Sequence, residues 1–405
     1  MNIEKARKID YWLGVPLCFL LSCVNYIQKA VWPKKNGIKP AGKILFIKLS
    51  ELGAIILAYP LIDRIKKEHV AADLFFVTFD KNKDIFKLLG GVIPDENILR
   101  IREERTAFVL DTLKAINRLR REKIDIIFDL EFFSRFSAIF SYLAGAEKRI
   151  GFYHYSFEGL YRGDLVTHKI QYNPLNHIAR NYLSLSQVAK QIEKKSPQME
   201  EGVNDGELKF PIYTPDSKTK ERISEKLRDI GVDTGKVKLF LLNPGDGVLP
   251  LREWPIDNFI ALARLILENK DNYILIIGTE GAARKAKLIL DALNTRRCES
   301  LVNRTELREL LGLFSIADSL ISNDCGLAHL AMLSPVKKFI IFGPESPKIF
   351  GPLGDKTRIL YSDWPCSPCL SVLNHRDSRC TDNKCLKVIK PQDILNLILE
   401  SQREL

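Results

Sequence analysis

The 405-residue chain has no internal repeat and no low-complexity tract, so neither a solenoid nor a disordered scaffold organises it. Its eight cysteines are scattered through a long chain, which excludes the dense disulfide framework of a small secreted protein and fits a reducing, cytosolic setting. No small-x-small cleavage site follows cleanly after the most apolar window, residues 11–31, which disfavours a cleaved secretory leader. What is present is the composition of a folded protein, 46% hydrophobic and 27% charged. The length exceeds one ordinary core and predicts two domains of roughly 150–200 residues.

The net charge of +11 is unevenly placed. Residues 1–40 hold Lys5, Arg7, Lys8, Lys29, Lys34, Lys35 and Lys39 against Glu4 and Asp10, which is +5 of that excess. A basic patch fused to an apolar segment points to anionic lipid more than to nucleic acid. The window 11–31 is near the minimum length of a spanning helix. However, Gly14 and Pro16 interrupt its first half, Asn25 and Gln28 polarise its end, and basic residues flank both sides. That pattern favours a monotopic or re-entrant anchor on the cytoplasmic side, with a spanning helix and a buried domain helix as alternatives. Trp12, Tyr26 and Trp32 suit the headgroup level.

After a linker at 33–42, apolar runs alternate with helical periodicity. Strands are expected at 43–48, 73–79 and 124–130, with helices at 54–68, 82–89, 106–121 and 132–144. Segments 149–155 and 174–182 read as loops carrying His154, His177 and Arg180, with His168 between them. A charged stretch at 190–209 separates this half from the next. Beyond it, strands at 238–242, 273–277, 318–322 and 337–342 alternate with helices at 217–230, 256–269, 282–293, 305–314, 327–333 and 391–400. This is α/β patterning for parallel, doubly wound sheets. The expected organisation is an anchor at 1–40 and two Rossmann-like domains, 41–212 and 213–405, facing each other across a cleft.

Three loops of the second half follow strands: 243–247, 278–281 and 323–326. Gly245, Gly278 and Gly326 permit close backbone approach, as an ordinary turn also requires, and the start of the 327–333 helix offers N–H groups to an anion. Arg252 beside Trp254 is the candidate cation, and Glu280 the candidate acceptor for ribose hydroxyls. His329, beside Asp324, is either a ligand contact or a satisfied helix histidine. Cys366, Cys369, Cys380 and Cys385 form a separate set, readable as a structural zinc site, a disulfide or redox pair, or packed thiols. Cys18, Cys23 and Cys298 read as apolar filler.

N-P-G at 243–245, R-E-W-P at 252–255, N-D-C-G-L-A-H-L-A at 323–331 and F-G-P-E-S-P at 342–347 together resemble glycosyltransferase family 9, the lipopolysaccharide heptosyltransferases. The segment KILFIKLSELGAIILAYP at 43–60 is similar to that family's amino-terminal motif. The resemblance implies the GT-B fold, a nucleotide-sugar in the second domain, an acceptor in the first, and an inverting transfer that needs no metal. It implies that Arg252 touches the donor phosphate and that Asp324 holds sugar hydroxyls. The N–H groups of Gly326 and Leu327 would cradle the diphosphate, with Asn243, Asn323 and His329 around the donor.

One departure concerns catalysis: the family's turn reads G-D with the aspartate as base, whereas this chain has Gly53-Ala54. Glu51 is the local substitute, and helix capping or a solvated charge is its alternative role. Cys325 and Glu345 replace hydroxyl residues near the phosphate. The expected activity is transfer of a sugar, heptose from ADP-heptose, to a lipid-linked saccharide at the cytoplasmic face of the inner membrane. The alternatives are a UDP- or GDP-hexose transferase and, because of Ala54, a catalytically silent scaffold.

Overall fold

The runs KILFI, DLFFVTF and IIFD are short, rich in β-branched and aromatic residues, and apolar on both faces. Such runs belong in the interior of a parallel sheet covered by helices on each side. The computed structural model describes residues 3–31, 41–153, 160–191, 193–194, 196–200, 202–245, 249–374 and 376–403. Trp32, the linker through residue 40, His154, Asp246 and Gly247 lie outside these residues.

The chain divides into unit 1, Met1–Lys209, and unit 2, Phe210–Leu405. In unit 1 the strands are β1 Lys43–Ile47, β2 Asp73–Phe79, β3 Ile98–Ile101, β4 Ile126–Asp129, β5 Lys148–Tyr153 and β6 His168–Gln171. They form one parallel sheet in the order β3-β2-β1-β4-β5-β6. Unit 2 holds β7 Lys238–Asn243, β8 Asn272–Ile276, β9 Cys298–Ser300, β10 Ser319–Asn323, β11 Lys337–Phe342 and β12 Thr357–Tyr361. Their order, β12-β11-β10-β7-β8-β9, is the same topology. In each unit the chain winds outward over three strands, then returns to lay its fourth beside its first. The loops leaving those two neighbours diverge, which opens a crevice at the sheet's carboxyl edge.

Each unit has its own core. In unit 1, Leu45, Ile47, Phe75, Val77 and Ile127 pack against Ala115, Leu119 and Phe140. In unit 2, Phe240, Leu242, Ile274, Ile321 and Phe339 pack against Phe259, Leu262, Ile289 and Ile394.

Several expectations are corrected. Segment 149–155 is largely β5, and residues 178–182 begin the helix Ile178–Ala189. The expected helix 54–68 is broken at Ala58 into α3, Leu52–Leu57, and the helix Tyr59–Glu68. Cys23 is exposed, unlike the buried Cys18 and Cys298.

The apolar amino-terminal window folds as two nearly continuous helices, α1 Ile3–Trp12 and α2 Gly14–Val31. Pro16 falls in the first turn of α2, where its missing N–H costs little. Both helices pack on the helix Arg135–Ala144 of unit 1. Asp10 accepts from Phe136 N at 2.9 Å and pairs with the buried Arg135 guanidinium at 3.2 Å. Removing residues 1–40 therefore uncovers Arg135, Ala138 and Leu165. Asp10→Asn weakens the hold on a buried cation and is expected to destabilise the chain by about 2 kcal/mol. Thermal denaturation should show a midpoint several degrees lower; an unchanged midpoint would mean that the pair contributes nothing.

Candidate functional site

The crevice of unit 1 lies between β1 and β4. Lys48, directly after β1, is almost fully buried, and its Nζ donates to Glu131 Oε2 at 2.8 Å. The other Glu131 oxygen accepts from Leu49 N at 2.7 Å, so this carboxylate is fixed. Glu51 sits 3.7 Å from Lys48 Nζ and keeps 37% of its side chain exposed. Its backbone is left-handed, φ 69°, and its side chain makes no capping bond to α3. The capping role is therefore not the one it plays. A left-handed glutamate stores about 1 kcal/mol or more of strain, of the kind that collects at functional turns.

At the end of β4, Asp129 is buried between Arg162 Nη1 and Ser137 Oγ, each at 2.9 Å. Burial pushes its carboxyl up to about 6 against the lowering pull of Arg162.

The crevice of unit 2 lies between β7 and β10, and it gathers most of the sequence-predicted donor residues. Asn243 ends β7 and braces the loops: its Nδ2 donates to Ser322 Oγ and Cys325 Sγ at 3.0 Å, and its Oδ1 accepts from Gly245 N at 3.2 Å. Gly245 has φ 92°, and a Cβ there would lie 2.6 Å from Glu253 Oε1, so the turn requires glycine. Asn323 ends β10, and its Oδ1 accepts from Trp254 N at 2.9 Å, tying the W-P loop to the crevice.

Arg252 sits in the centre of this crevice. Its Nη1 is 3.7 Å from Asp324 Oδ2, and its Nη2 contacts Glu345. Arg376, from the cysteine-containing loop, approaches the same Glu345 Oε1 at 3.2 Å. Two carboxyls and two guanidiniums thus share one buried cluster. Burial pushes the Glu345 carboxyl up to about 8, opposed by Arg252 and reinforced by Asp324. Burial also raises Asp324, again against Arg252. Carboxyls raised in this way offset less of the two guanidinium charges, which suits an anion.

Arg252 Nε, Asp324 Oδ2 and Asn323 Nδ2 are buried with no hydrogen-bond partner among the described residues. Each unmet group costs about 1–3 kcal/mol. Two donors and one acceptor at this spot match a ligand that brings phosphate oxygens and sugar hydroxyls.

Other predicted residues have different surroundings. Gly326 and Leu327 open a helix of only one turn, Gly326–Leu330, and the Cys325 side chain before it makes no capping hydrogen bond. His329 is buried on that turn. Gly278 follows β8, and Glu280 is exposed with its Oε2 accepting from Asn303 at 2.7 Å. Cys366, Cys369, Cys380 and Cys385 are free thiols, and no group of three or more His, Cys, Asp or Glu is arranged to hold a metal among the described residues. Burial, with neighbouring thiols adding, pushes Cys385 up to about 11.

Residues that the sequence reading missed include Lys48, Glu131, Arg376 and Lys285, whose Nζ reaches Gly245 O at 3.4 Å and pairs with Glu253. Lys48 lay inside the matched amino-terminal motif and was findable there; Arg376 carried no local signal.

Two Rossmann-like units, with charged and amide side chains collected where each strand order reverses, define a glycosyltransferase of the GT-B class. The chain belongs to glycosyltransferase family 9 (heptosyltransferase), whose model matches residues 112–378. It is similar to lipooligosaccharide heptosyltransferase 2 of Haemophilus ducreyi, 24% identical over 329 residues that cover 78% of this chain and 88% of that one. Among solved structures it matches the E. coli ADP-heptose LPS heptosyltransferase II with TM-score 0.65 at 20% identity, over 89% of this chain and 99% of that one. A family 9 glycosyltransferase of Veillonella parvula gives TM-score 0.68 at 16% identity, over 90% and 100%. At such identities the structural likeness establishes the fold.

The raised Glu345 carboxyl has a consequence for stability. Its folded value, about 8, exceeds the ordinary 4.5, so between these values the folded chain holds a proton that the unfolded chain has released. The stabilisation is full below about 4.5 and is lost as pH rises through about 8. Glu345→Gln removes this titration, so its thermal midpoint should decline less steeply than wild type from about pH 6 to about pH 9. Parallel slopes in melts recorded by circular dichroism would show that Glu345 does not titrate there.

Proposed function

We propose that this chain transfers a heptosyl unit from ADP-heptose to a lipid-linked saccharide of the lipopolysaccharide-core type, at the cytoplasmic face of the membrane. The observation that carries this reading is the Arg252–Asp324–Glu345 cluster with its unmet donors and acceptor, within a family 9 chain. Support for the donor comes from the similar solved E. coli proteins, one described as an ADP-heptose LPS heptosyltransferase II and one holding ADP-2-deoxy-2-fluoro heptose. Support for the acceptor comes from the lipooligosaccharide heptosyltransferase of Haemophilus ducreyi.

In this reading the acceptor hydroxyl oxygen attacks the anomeric carbon from the face opposite the leaving group. A carbon–oxygen bond forms as the bond to the diphosphate breaks, and ADP leaves with the electron pair and inverted configuration behind it. Arg252 and Arg376 neutralise the charge that grows on the leaving diphosphate. Asp324 orients the sugar by accepting from its hydroxyls. Glu51, held 3.7 Å from Lys48 Nζ, takes the proton from the acceptor hydroxyl.

Donor identity is tested by thermal stabilisation, because only a bound ligand raises the midpoint. ADP and ADP-heptose should stabilise the wild type, and Arg252→Ala should abolish the shift. A shift with UDP- or GDP-hexoses and none with ADP compounds would replace the heptose reading with a hexose one. Glu51→Gln should lower kcat by about a hundredfold or more while leaving the ADP-dependent shift intact. Unchanged transfer would show that Glu51 is not the base, and nucleotide binding without transfer to any acceptor would favour a scaffold.

A further inference from the structure

The α1–α2 pair touches unit 1 along a narrow stripe. Gly14, Cys18 and Asn25 are its buried positions, spaced by four and seven residues on one side of α2. At Gly14 a Cβ would lie 2.7 Å from Arg135 Cβ, so the helices approach at glycine distance. Cys18 packs on Ala138 and Leu165. Further along, Ser22 Oγ accepts from Asp164 N at 2.7 Å, Asn25 Nδ2 donates to Asp164 O at 3.1 Å, and Gln28 Oε1 accepts from Tyr142 Oη–H at 2.9 Å. Lys29 pairs with Glu193. The helix is therefore fastened from its first turn to its last.

The rest of its circumference is open and apolar. Leu13, Phe19, Leu20 and Ile27 are each about 60% exposed, and Leu17, Val24 and Val31 are exposed beside them. A surface helix that faces water carries a polar outer face. A contiguous apolar face of this size marks a partner surface.

We propose that this face is a docking surface for an anionic lipid bilayer, entered with α1–α2 lying in the membrane plane and not crossing it. The proposal deepens the membrane-face part of the functional reading and is independent of the donor. Charge complementarity selects the occupant: in the sequence Lys5, Arg7 and Lys8 precede the apolar face and Lys34, Lys35 and Lys39 follow it. Trp12 and Tyr26, 73% and 77% exposed, are the residue types that settle at the headgroup level. The fastened stripe decides the orientation. Although the window Arg7–Val31 is long and apolar enough to cross a membrane, crossing would pull it off unit 1. Ser22, Asn25 and Gln28 would then enter hydrocarbon, and Arg135 would lose Asp10. Lying in the plane keeps every one of these contacts while burying the apolar face about 5–10 Å deep.

The test uses the purified full chain in flotation with vesicles of phosphatidylcholine alone or mixed with phosphatidylglycerol. Flotation should be stronger with phosphatidylglycerol and weaken at high salt. The variant Leu17→Ser/Leu20→Ser/Ile27→Ser, altered only at exposed positions, should bind on the order of tenfold less or weaker. It should keep an ADP-dependent thermal shift, which shows a folded donor unit and separates this proposal from the donor reading. Flotation of the variant equal to wild type would overturn the docking surface. So would a lipid-free dimer by light scattering that the variant abolishes, in a protein that does not float, because the face would then hold a second copy. In membrane vesicles with the cytoplasmic face outward, protease should remove an amino-terminal tag and digest the body alike. Protection of the tag with digestion of the body would mean a spanning helix and overturn the in-plane orientation.

Discussion

The right-handed crossover between parallel strands governs where chemistry collects in this molecule. A chain that winds outward over three strands and then lays its fourth beside its first keeps that handedness only by placing the following helices on the opposite face. Two loops then leave neighbouring strands in opposite directions, and the space between them is walled by backbone but filled by neither loop. Both units reach this point, at β1/β4 and at β7/β10. Lys48, Glu51, Asp129 and Glu131 stand at one; Asn243, Arg252, Asn323 and Asp324 stand at the other. The positions of these residues follow from topology before any side-chain preference is considered.

The two crevices differ in how charge is held. In unit 1 each buried charge has a fixed partner: Lys48 with Glu131, and Asp129 with Arg162 and Ser137. Such a crevice is a rigid frame around the half-exposed Glu51. In unit 2 one guanidinium is shared by two carboxyls, and a second guanidinium arrives from the loop after β12. A buried cluster with more hydrogen-bonding capacity than its members can satisfy is costly by itself. Its cost falls when a ligand supplies what is missing, and that difference is binding energy. Glu345 also places a titratable group inside this cluster.

The interior strands were legible because they are apolar on both faces. β1, β2, β4, β7, β8, β10 and β11 all stand out as runs. The strands toward the sheet margins were not. β3 contains Arg100, β5 begins Lys148-Arg149, β6 begins His168-Lys169 and β12 contains Arg358, because these strands need less apolar character than fully covered ones. Missing them concealed the strand order, and with it the reason the loops after β1 and β4 belong together. The candidate residues of the second crevice were readable as motifs, since Asn243, Arg252 and Asp324 lie in short contiguous patterns. Arg376 was not, because its place depends on the course of a long loop, which no periodicity encodes.

The amino-terminal helices and the acceptor-side crevice are joined through a short set of rigid contacts within unit 1. α2 lies on the helix Arg135–Ala144 and against the Gly163 turn, where a Cβ would meet Cys18 O at 2.6 Å. Ser137 of that helix and Arg162 beside that turn both hold Asp129 at 2.9 Å. Asp129 Oδ1 in turn accepts from Glu131 N at 3.1 Å, and Glu131 fixes Lys48 next to Glu51. Every link is a buried or half-buried hydrogen bond, ion pair or packing contact, so a continuous chain of contacts connects the exposed apolar face to the Glu51 turn. A lipid-linked acceptor is confined to the bilayer surface and diffuses in two dimensions. In the proposed docking, unit 1 held at fixed height above that surface would meet such an acceptor with its orientation already set, which would remove part of the entropic cost of bringing a hydroxyl to Glu51. The same clamp explains why the contacting stripe of α2 is polar and specific while its outer face is merely apolar: the stripe sets geometry, and the outer face only has to partition.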